Sequence, residues 1–490
     1  MDKSILIQKY FEEKRFVDSN ILSFNNLLEK GLQEVIEENK EAEPAIIPQN
    51  IEKFKIRFGR ITVGKPEIIE ADGSKRPIYP MEARLRKISY SAPMYIEVNT
   101  YVNDVQRENF TAVIGKLPIM LKSKFCNLDG LSREELVKRG EDPTDPGGYF
   151  IINGTEKVIV TVEDLAANNF IVEKESPGVF SGRFFAAKGS YKIPHSFEKK
   201  KDGLFYLTFT RVKNMPIIVV IKALGLIKDE EIMKAISKDK NYDEVLLNLF
   251  EFVDIKVQEE AIDYIAKRVH AGQTREIRIE KTKEILDKYL FPNIGLTQKD
   301  RIDKAKNICK MLKKYIEVSN GSRLPDDKDH YMNKRLRMSG DLLMDLFRVN
   351  FKVLVGDVLY NFQRIIKRGK MPSIRVIIRE KLLTSRIYSS MATGEWVGGR
   401  QGISQRMSRT NYLDMISHLQ RVVSPLSSAQ ENFAARALHC THIGRLCPIE
   451  TPEGTNIGLR KNLAMLCSIS QETEEEEVLE KLRSIGLKEA

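Results

Sequence analysis

The sequence has few of the features that mark secreted or membrane proteins. Its 490 residues include only five cysteines and one tryptophan, and no apolar run approaches the roughly 20 residues needed to cross a bilayer. The start, MDKSILIQKYFEEKR, lacks the long apolar core of a signal peptide. Because the cysteines are odd in number and mostly far apart, a secreted disulfide framework is disfavoured. We therefore expect a cytoplasmic protein with no membrane partner.

Common signatures of nucleotide and metal sites are also missing. The glycines of GGRQG invite a phosphate-loop interpretation, but no Gly-Lys followed by Ser or Thr is present. An acidic turn could instead bind Mg²⁺ or Ca²⁺ through close-spaced oxygens, although such clusters usually cap backbone amides. Its candidate ligands are Asp326, Asp327, Asp329 and His330. We expect a capped turn there and no metal bound by this chain.

One stretch, HCTHIGRLCPIETPEGTNIGL, contains residue types suited to zinc or to nucleophilic catalysis. Adjacent His439 and Cys440 cannot easily point at one ion, and the chain has no CxxC pair. A nucleophilic Cys447 with His442 is conceivable, yet nothing nearby marks an oxyanion hole or an orienting third group. Packing of the cysteines within the fold is the simpler interpretation.

The charge balance is compatible with a solvated basic surface or with binding to nucleic acid. There are 79 Lys and Arg residues against 68 Asp and Glu, a formal charge of +11. This could describe a solvated basic surface, but clustered cations also release counterions from phosphates. Acidic residues gather in QETEEEEVLEKL, whereas RIIKRGKMPSIRVIIREK and GGRQGISQRMSR are strongly basic. The two basic stretches are therefore the candidates for phosphate contacts.

Because 490 residues exceed the size at which one hydrophobic core stops growing, we expect two to four domains, and hydrophobic periodicity predicts a mixture of helices and strands. A helical stripe covers residues 19–39, alternation from Phe54 predicts strands, and Asn153-Gly154 predicts a hairpin turn. GLFYLTFTRV suggests strands and KTKEILDKYL a helix within an inserted segment, with a boundary near NGSRLPDDKDH. A long helix is expected in GDLLMDLFRVNFKVLVGDVLYNFQRIIKRGK.

An ordered series of motifs gives a more specific indication. PMEARLRKISYSAP, LPIMLKSKFC, GGYFIINGTEKVIV, DDKDHYMNKRL and HCTHIGRLCPIETPEGTNIGL resemble, in order, the second-largest subunit of multisubunit DNA-directed RNA polymerase. The residues of these motifs, and in particular the segment TVEDLAANNF, are similar to those of archaeal members of the family. The chain ends about twenty residues after NLAMLCSIS, so it resembles the N-terminal half in lineages where this subunit is split between two chains.

This resemblance implies an α+β multidomain fold. The protrusion would comprise residues 1–170 and 335–394, and the lobe, residues 171–334, would be inserted between them. The fork would cover residues 395–466, and residues 467–490 would form an acidic tail leading toward the other half.

The resemblance also implies the function of a core polymerase subunit, which helps to form the active-centre wall, the RNA–DNA hybrid path and the DNA cleft. Expected partners are the C-terminal half on a separate chain, the largest and other subunits, template DNA and nascent RNA. No catalytic residue is expected here, because the family's Mg²⁺ is held by the largest subunit, so the isolated chain should be inactive. The alternatives are a stand-alone basic nucleic-acid-binding module, or a self-sufficient nuclease or transferase, for which we find no convincing carboxylate cluster.

Candidate lining residues concentrate in the fork. Five have side-chain donors that could follow a phosphate backbone without reading bases: Arg400, Gln401, Gln405, Arg406 and Arg409. An ordinary basic loop remains the alternative for each of them. The resemblance adds His418, Arg421, Arg436, His439, His442, Arg445, Glu450, Glu453 and Asn456. Among these, the two glutamates are expected to shape the site rather than bind the ion. His439, His442 and Arg445 could donate to phosphate or to loop carbonyls.

Overall fold

The computed structural model describes residues 3–13, 16–48, 51–188, 191–237, 242–269, 272, 274–369, 372–470 and 475–487. The chain divides into two compact units, Met1–Asp164 with Leu336–Ala490 and Leu165–Arg335. Within the described ranges, no helix is both long and apolar enough to cross a membrane. The predicted mixture of helices and several sheets is confirmed.

Eighteen strands are described. In chain order they are β1 Glu41–Ala42, β2 Phe54–Val63, β3 Glu67–Ile69, β4 Lys75–Pro77, β5 Ser91–Val102, β6 Val105–Pro118, β7 Phe150–Ile152, β8 Thr155–Ile159, β9 Thr161–Leu165, β10 Phe170–Ser176, β11 Val179–Lys188, β12 Tyr191–Lys199, β13 Phe205–Phe209, β14 Val212–Pro216, β15 Lys334–Arg337, β16 Ser404–Arg406, β17 Arg421–Val423 and β18 Arg460–Asn462.

The helices lie before, between and after these strands in the sequence. In the described ranges they are α1 Lys3–Glu13, α2 Asp18–Asn26, α3 Leu32–Glu38, α4 Pro80–Leu85, α5 Arg133–Lys138, α6 Ile217–Ala223, α7 Asp229–Ile236, α8 Asp243–Glu251, α9 Gln258–Val269, α10 Arg275–Lys288, α11 Arg301–Ser319, α12 Ser339–Ile366, α13 Ile374–Ile377, α14 Glu380–Thr393, α15 Tyr412–Leu419, α16 Phe433–Arg436 and α17 Glu475–Ile485.

The core of the first unit forms between helices and the antiparallel sheet β1-β2-β5-β6. Alternation in β2 buries Phe54 and Phe58, as predicted, because successive strand residues face opposite sides. Phe54 stacks on Phe362 of α12, and Phe58 meets Phe351 of the same helix edge-on. The long helix predicted in GDLLMDLFRVNFKVLVGDVLYNFQRIIKRGK is therefore confirmed as α12, which packs against the sheet.

The helix predicted over residues 19–39 is confirmed, with one irregularity. A π-helical turn, Leu27–Gly31, joins α2 to α3. A Cβ added at Gly31 would lie 3.1 Å from Met344 Sδ, so the glycine lets α12 approach closely.

The predicted hairpin is formed by β7 and β8. Asn153 and Gly154 both have positive φ, 49° and 75°, as a two-residue hairpin turn of this kind requires. β16 pairs with the other edge of β8, which attaches the basic segment after residue 400 to the hairpin.

A second ladder organises the segments on either side of the HCTHIGRLC stretch. β17 pairs in parallel with β9 and antiparallel with β18. Residues 421–423 and 460–462 are thereby brought side by side, although nearly forty positions separate them in sequence.

The second unit is an antiparallel meander, β10-β11-β12-β13-β14, with a core shared with helices α6 to α11. The strands predicted in GLFYLTFTRV and the helix predicted in KTKEILDKYL are confirmed as β13, β14 and α10. Helix α6, IIVVIKA, is buried all round, and its Lys222 donates to the carbonyls of Phe252 at 2.9 Å and Ile255 at 3.2 Å. Those carbonyls neutralise much of the cost of burying the amine.

Candidate nucleic-acid interface

Arg406 lies directly opposite another cation. It is paired with Lys157 in the ladder between β16 and β8. Burial of the Lys157 amine and then the charge of Arg406 lower the pKa of Lys157. Lys157 Nζ donates to the carbonyl of Ala392 at 2.8 Å, and across the described ranges neither cation forms an ion pair. Like charges directly opposite one another destabilise a sheet, so this pair needs another explanation.

Arg409, three residues later, is held within the chain. Its Nε lies 2.7 Å from Glu156 Oε2, and its Nη2 lies 3.0 Å from Asp145 Oδ2 and 2.9 Å from the Tyr149 hydroxyl. Arg84 completes this cluster with an ion pair of 2.9 Å to Glu156. The geometry of Arg409 therefore suits an anchor for the basic segment better than a free phosphate donor.

Gln405 and His418 are brought together. The backbone N–H of Ser408 donates to His418 Nδ1 at 3.1 Å, so Nε2 carries the ring proton and donates to Gln405 Oε1 at 3.2 Å. Burial, then the charge of Arg421, lower the pKa of His418 to about 4. The Ser408 hydroxyl donates to Asp414. His418 is thus neutral and fixes the orientation of the Gln405 carboxamide.

Arg421 shares a strand face with another arginine. Its partner across the ladder is Asn462, and Arg460 is paired with Val423 two positions along, so Arg421 and Arg460 are diagonal neighbours. Both are half-buried, and in the described part of the chain neither forms an ion pair. Burial and then the charge of Arg460 lower the pKa of Arg421.

Arg436 fastens two loops together. Its guanidinium donates to the carbonyls of Thr455 at 2.7 Å, Ile457 at 3.1 Å, Ser428 at 2.9 Å and Gln430 at 3.1 Å. All four contacts are within the chain, so this arginine fixes the loop that contains Pro452 to Asn456 and has little capacity for an external phosphate.

The histidines of the HCTHIGRLC stretch make local contacts. His439 Nδ1 lies 2.6 Å from the Thr441 hydroxyl, and the N–H of His439 donates to His442 Nδ1 at 3.4 Å. Arg445 donates to the carbonyl of Thr441 at 3.1 Å. The carbonyl partner is one of the two alternatives expected for Arg445.

Glu450 is engaged as a loop anchor. Its Oε1 accepts from Asn462 Nδ2 at 2.7 Å and from the Ser417 hydroxyl, which joins the loop to β18 and α15.

The remaining candidate residues differ in exposure. Glu453 and Gln401 are exposed and Asn456 is half-buried. Arg400 pairs with Asp164 at 3.3 Å.

No metal centre is formed by the residues the structure describes: no three His, Cys, Asp or Glu side chains converge on one point. In the second unit, Asp326 accepts from the N–H of Val172 at 2.9 Å and pairs with Lys314 at 2.6 Å. Asp327 accepts from the N–H of Asp329 at 2.8 Å. The capped turn predicted there is confirmed.

The sequence did not identify the carboxylates that hold Arg409. The stretch EDPTDPGGY forms a loop in which Asp142 and Asp145 accept from the N–H groups of Thr144 and Gly147, each at 2.8 Å. The second oxygen of Asp145 also accepts from the Tyr149 hydroxyl and from Arg409. A partner 264 positions away leaves no local signal in one sequence.

Comparison with protein families gives two matches that together span most of the chain. The family described as RNA polymerase beta subunit matches residues 15–385, and RNA polymerase Rpb2, domain 3, matches residues 405–469. The second match includes the strands β17 and β18 and most of the candidate lining residues.

Individual relatives agree. DNA-directed RNA polymerase subunit Rpo2N of Methanocaldococcus jannaschii is 43% identical over 98% of this chain and 98% of its own length. Subunit Rpo2N of Methanothermobacter thermautotrophicus is 41% identical over 98% of this chain and 96% of its own. Subunit Rpo2 of Saccharolobus solfataricus is 42% identical over 98% of this chain, which spans 43% of that relative. The chain therefore belongs to the second-subunit family of archaeal DNA-directed RNA polymerase and corresponds to the N-terminal half of that subunit.

Proposed function

We propose that this core subunit contributes a fixed, cationic wall to the path of the nucleic acid and performs no chemistry alone. The observation that carries the proposal is the cross-strand pair of Arg406 and Lys157. Two neighbouring cations without a carboxylate partner raise the free energy of the isolated chain. A phosphate group lying against them would remove that repulsion and could accept from both.

The surrounding contacts explain how the wall would keep its shape. Arg409 holds the basic segment to Glu156 and Asp145, His418 orients Gln405, and Arg436 fixes the 455–457 loop. Contacts to phosphate and sugar position a nucleic acid without reading its bases, which suits an enzyme that copies any template. Arg406, Gln405, Gln401, Arg421 and Arg445 are therefore the strongest candidates for direct contacts, and Arg400, His439, His442, Glu450, Glu453 and Asn456 would shape their surroundings.

We assign the protrusion to residues 1–170 and 335–394, the lobe to 171–334, the fork to 395–466 and the tail to 467–490. The division of the chain into two compact units, with residues 165–335 inserted into the other, supports this assignment. Three of the motifs lie in residues 1–170, DDKDHYMNKRL crosses the boundary between the lobe and the second part of the protrusion, and the HCTHIGRLC stretch lies in the fork.

The catalytic Mg²⁺ is assigned to the largest subunit. Among the described residues, no three His, Cys, Asp or Glu side chains are grouped so that they could hold a metal ion. In the assembled enzyme, a nucleotidyltransferase, the partners would be the C-terminal half of the subunit on its own chain, the largest and other subunits, template DNA and nascent RNA. Transcription would place the complex in the cytoplasm of an archaeal cell.

Reconstitution tests the proposal. The chain alone, supplied with Mg²⁺, nucleotides and a primed template, should incorporate no nucleotide. Adding the C-terminal half, the largest subunit and the remaining subunits should produce RNA, and omitting only this chain should abolish synthesis. Incorporation by the isolated chain, or undiminished synthesis without it, would contradict the assignment. The alternative of a stand-alone binding module predicts that omission has no effect, and the relatives give it no support.

A further inference from the structure

The second unit has an apolar groove with an acidic rim, which contains none of the candidate nucleic-acid contact residues. The groove has a volume of about 1030 Å³ and lies between α7, α8 and the turn before β13. Its apolar lining consists of Leu204, Met233, Leu246, Leu247, Leu249, Phe250 and Val253. We call this feature the α7–α8 groove.

The apolar side chains of α8 are divided between two faces. Val245 and Leu249 are buried in the core of the unit, where they help to hold the helix in place. Leu246, Leu247 and Phe250 lie on the opposite side and are 46%, 53% and 82% exposed. Their spacing of i, i+1 and i+4 presents a continuous apolar strip to solvent. Exposed apolar strips of this kind mark interaction sites more often than single exposed residues do.

The charge of the groove's rim indicates the charge of the partner that it would bind. Among the residues that the structure describes, the rim has five carboxylates, Asp202, Asp229, Glu230, Asp243 and Glu251, and one lysine, Lys234. Buried Lys222 pairs with Asp229 at 3.1 Å, and Lys234 lies 4.0 Å from Glu230. The described lining is therefore negative in a chain whose net charge is +11. Such a rim repels phosphates and attracts Lys and Arg.

We propose that the α7–α8 groove binds an amphipathic helical segment of another protein whose apolar face is bordered by basic residues. Two or three large apolar side chains at helical spacing would fill the strip formed by Leu246, Leu247 and Phe250. Lysine or arginine side chains beside them would meet Asp243, Glu251 and Glu230. This helix-in-groove mode buries apolar surface at the centre and leaves charged pairs at the rim.

Binding of a model peptide tests this. The probe is a fluorescein-labelled peptide of about 14 residues, made of leucine and lysine with the leucines at helical spacing, and its control replaces every lysine with glutamate. Fluorescence anisotropy with the full chain should show saturable binding of the basic peptide and little of the acidic one. Raising salt should weaken the basic peptide's binding, because rim charges are exposed and screened.

Matched variants locate the site. Leu247→Asp and Phe250→Asp should each weaken binding about 10- to 100-fold through lost apolar burial and reduced complementarity. Ile277→Asp, in α10 of the same unit and 47% exposed, should leave it unchanged. Reversing two rim charges, with Asp243→Lys and Glu251→Lys, should weaken the basic peptide and favour the acidic one. Melting temperatures of all variants should match the parent, since the altered side chains are exposed.

Several outcomes would overturn the proposal: no saturable binding, equal affinity for the two peptides, or affinity that the groove variants leave unchanged. Sedimentation velocity tests a further contradicting outcome, self-association of the chain. If the parent chain self-associates and Phe250→Asp abolishes that association, a second copy of the chain occupies the groove instead.

Discussion

Lys461 Nζ lies 2.9 Å from Glu163 Oε2, and both side chains are buried, with 8% and 4% of their surface exposed. The pair joins β18 to β9 across the short strand β17. Because the Leu459–Asn462 region follows the Pro452–Asn456 loop, this ion pair fixes one end of the candidate interface to the sheet.

Breaking this pair on one side should destabilise the chain. Lys461→Met removes this cation from beside the buried Glu163 carboxylate, and breaking a buried pair on one side costs about 3–5 kcal/mol in comparable cases. Replacing both residues, with Glu163→Leu and Lys461→Met, should recover most of that loss. Urea denaturation of the chain measures both effects. The control is Lys124→Met, whose ion pair with Glu29 is exposed, and it should cost less than about 1 kcal/mol. Equal losses for Lys461→Met and the double variant would contradict the prediction.

Gly154 should not tolerate a side chain. Its φ of 75° strains any L-residue, and an added Cβ would lie 2.7 Å from Lys87 Cα and 3.1 Å from the Arg84 carbonyl oxygen. Gly73 has a similar φ of 84° but nothing within 4 Å of the added atom. Gly73→Ala should therefore cost about 1 kcal/mol through strain, and Gly154→Ala distinctly more because the Lys87 backbone cannot give way. Similar melting temperatures for the two variants would refute the clash.

The hairpin and the Arg409 cluster show what a single sequence can and cannot reveal. Asn153-Gly154 was predictable because the turn geometry demands those residue types within four positions. The π-helical turn at Leu27–Gly31 was not, because the 3.6-residue periodicity of this segment gives no sign of the local change in hydrogen bonding. Arg409 was predicted as a backbone-tracking donor because its charge is visible in the sequence, whereas Glu156, its partner 253 positions away, is not. Resemblance to a family indicated the candidate segment, and only the packing shows which of its side chains are bonded within the chain.

Arg409 should therefore affect stability more than nucleic-acid contact. Arg409→Gln removes ion pairs to Glu156 and Asp145, and since 39% of the Arg409 side chain is exposed, we expect a loss of about 1–2 kcal/mol. A double-mutant cycle with Glu156→Gln, followed by urea denaturation, should give a coupling energy of about 1 kcal/mol. Additive losses would show that the two side chains are not energetically coupled.

His418 should make stability fall in acid. Its pKa is lowered to about 4 in the folded chain, against about 6.5 when unfolded. Above pH 6.5 both states are neutral at this residue. As pH falls from 6.5 to 4 the unfolded state takes up a proton that the folded state does not, and about 3 kcal/mol of stability is lost. His418→Gln keeps hydrogen-bonding capacity without titrating. Between pH 6.5 and pH 4, the free energy of unfolding of the parent should therefore fall by about 3 kcal/mol relative to that of the variant. Parallel curves for the two proteins would contradict the assignment.

Arg406 should have opposite effects on the isolated chain and on the transcribing complex. Arg406→Gln removes the repulsion with Lys157, so the chain alone should gain about 0.2–1 kcal/mol in urea denaturation. In the reconstituted polymerase the same variant should dissociate from stalled template at lower salt. The slope of log affinity against log salt should decrease by about 1, because one phosphate contact is lost. The control is Arg323→Gln, an exposed arginine of the other unit, which should alter neither quantity. A variant that stabilised the chain yet left salt-induced dissociation unchanged would show that the two cations face solvent rather than phosphate.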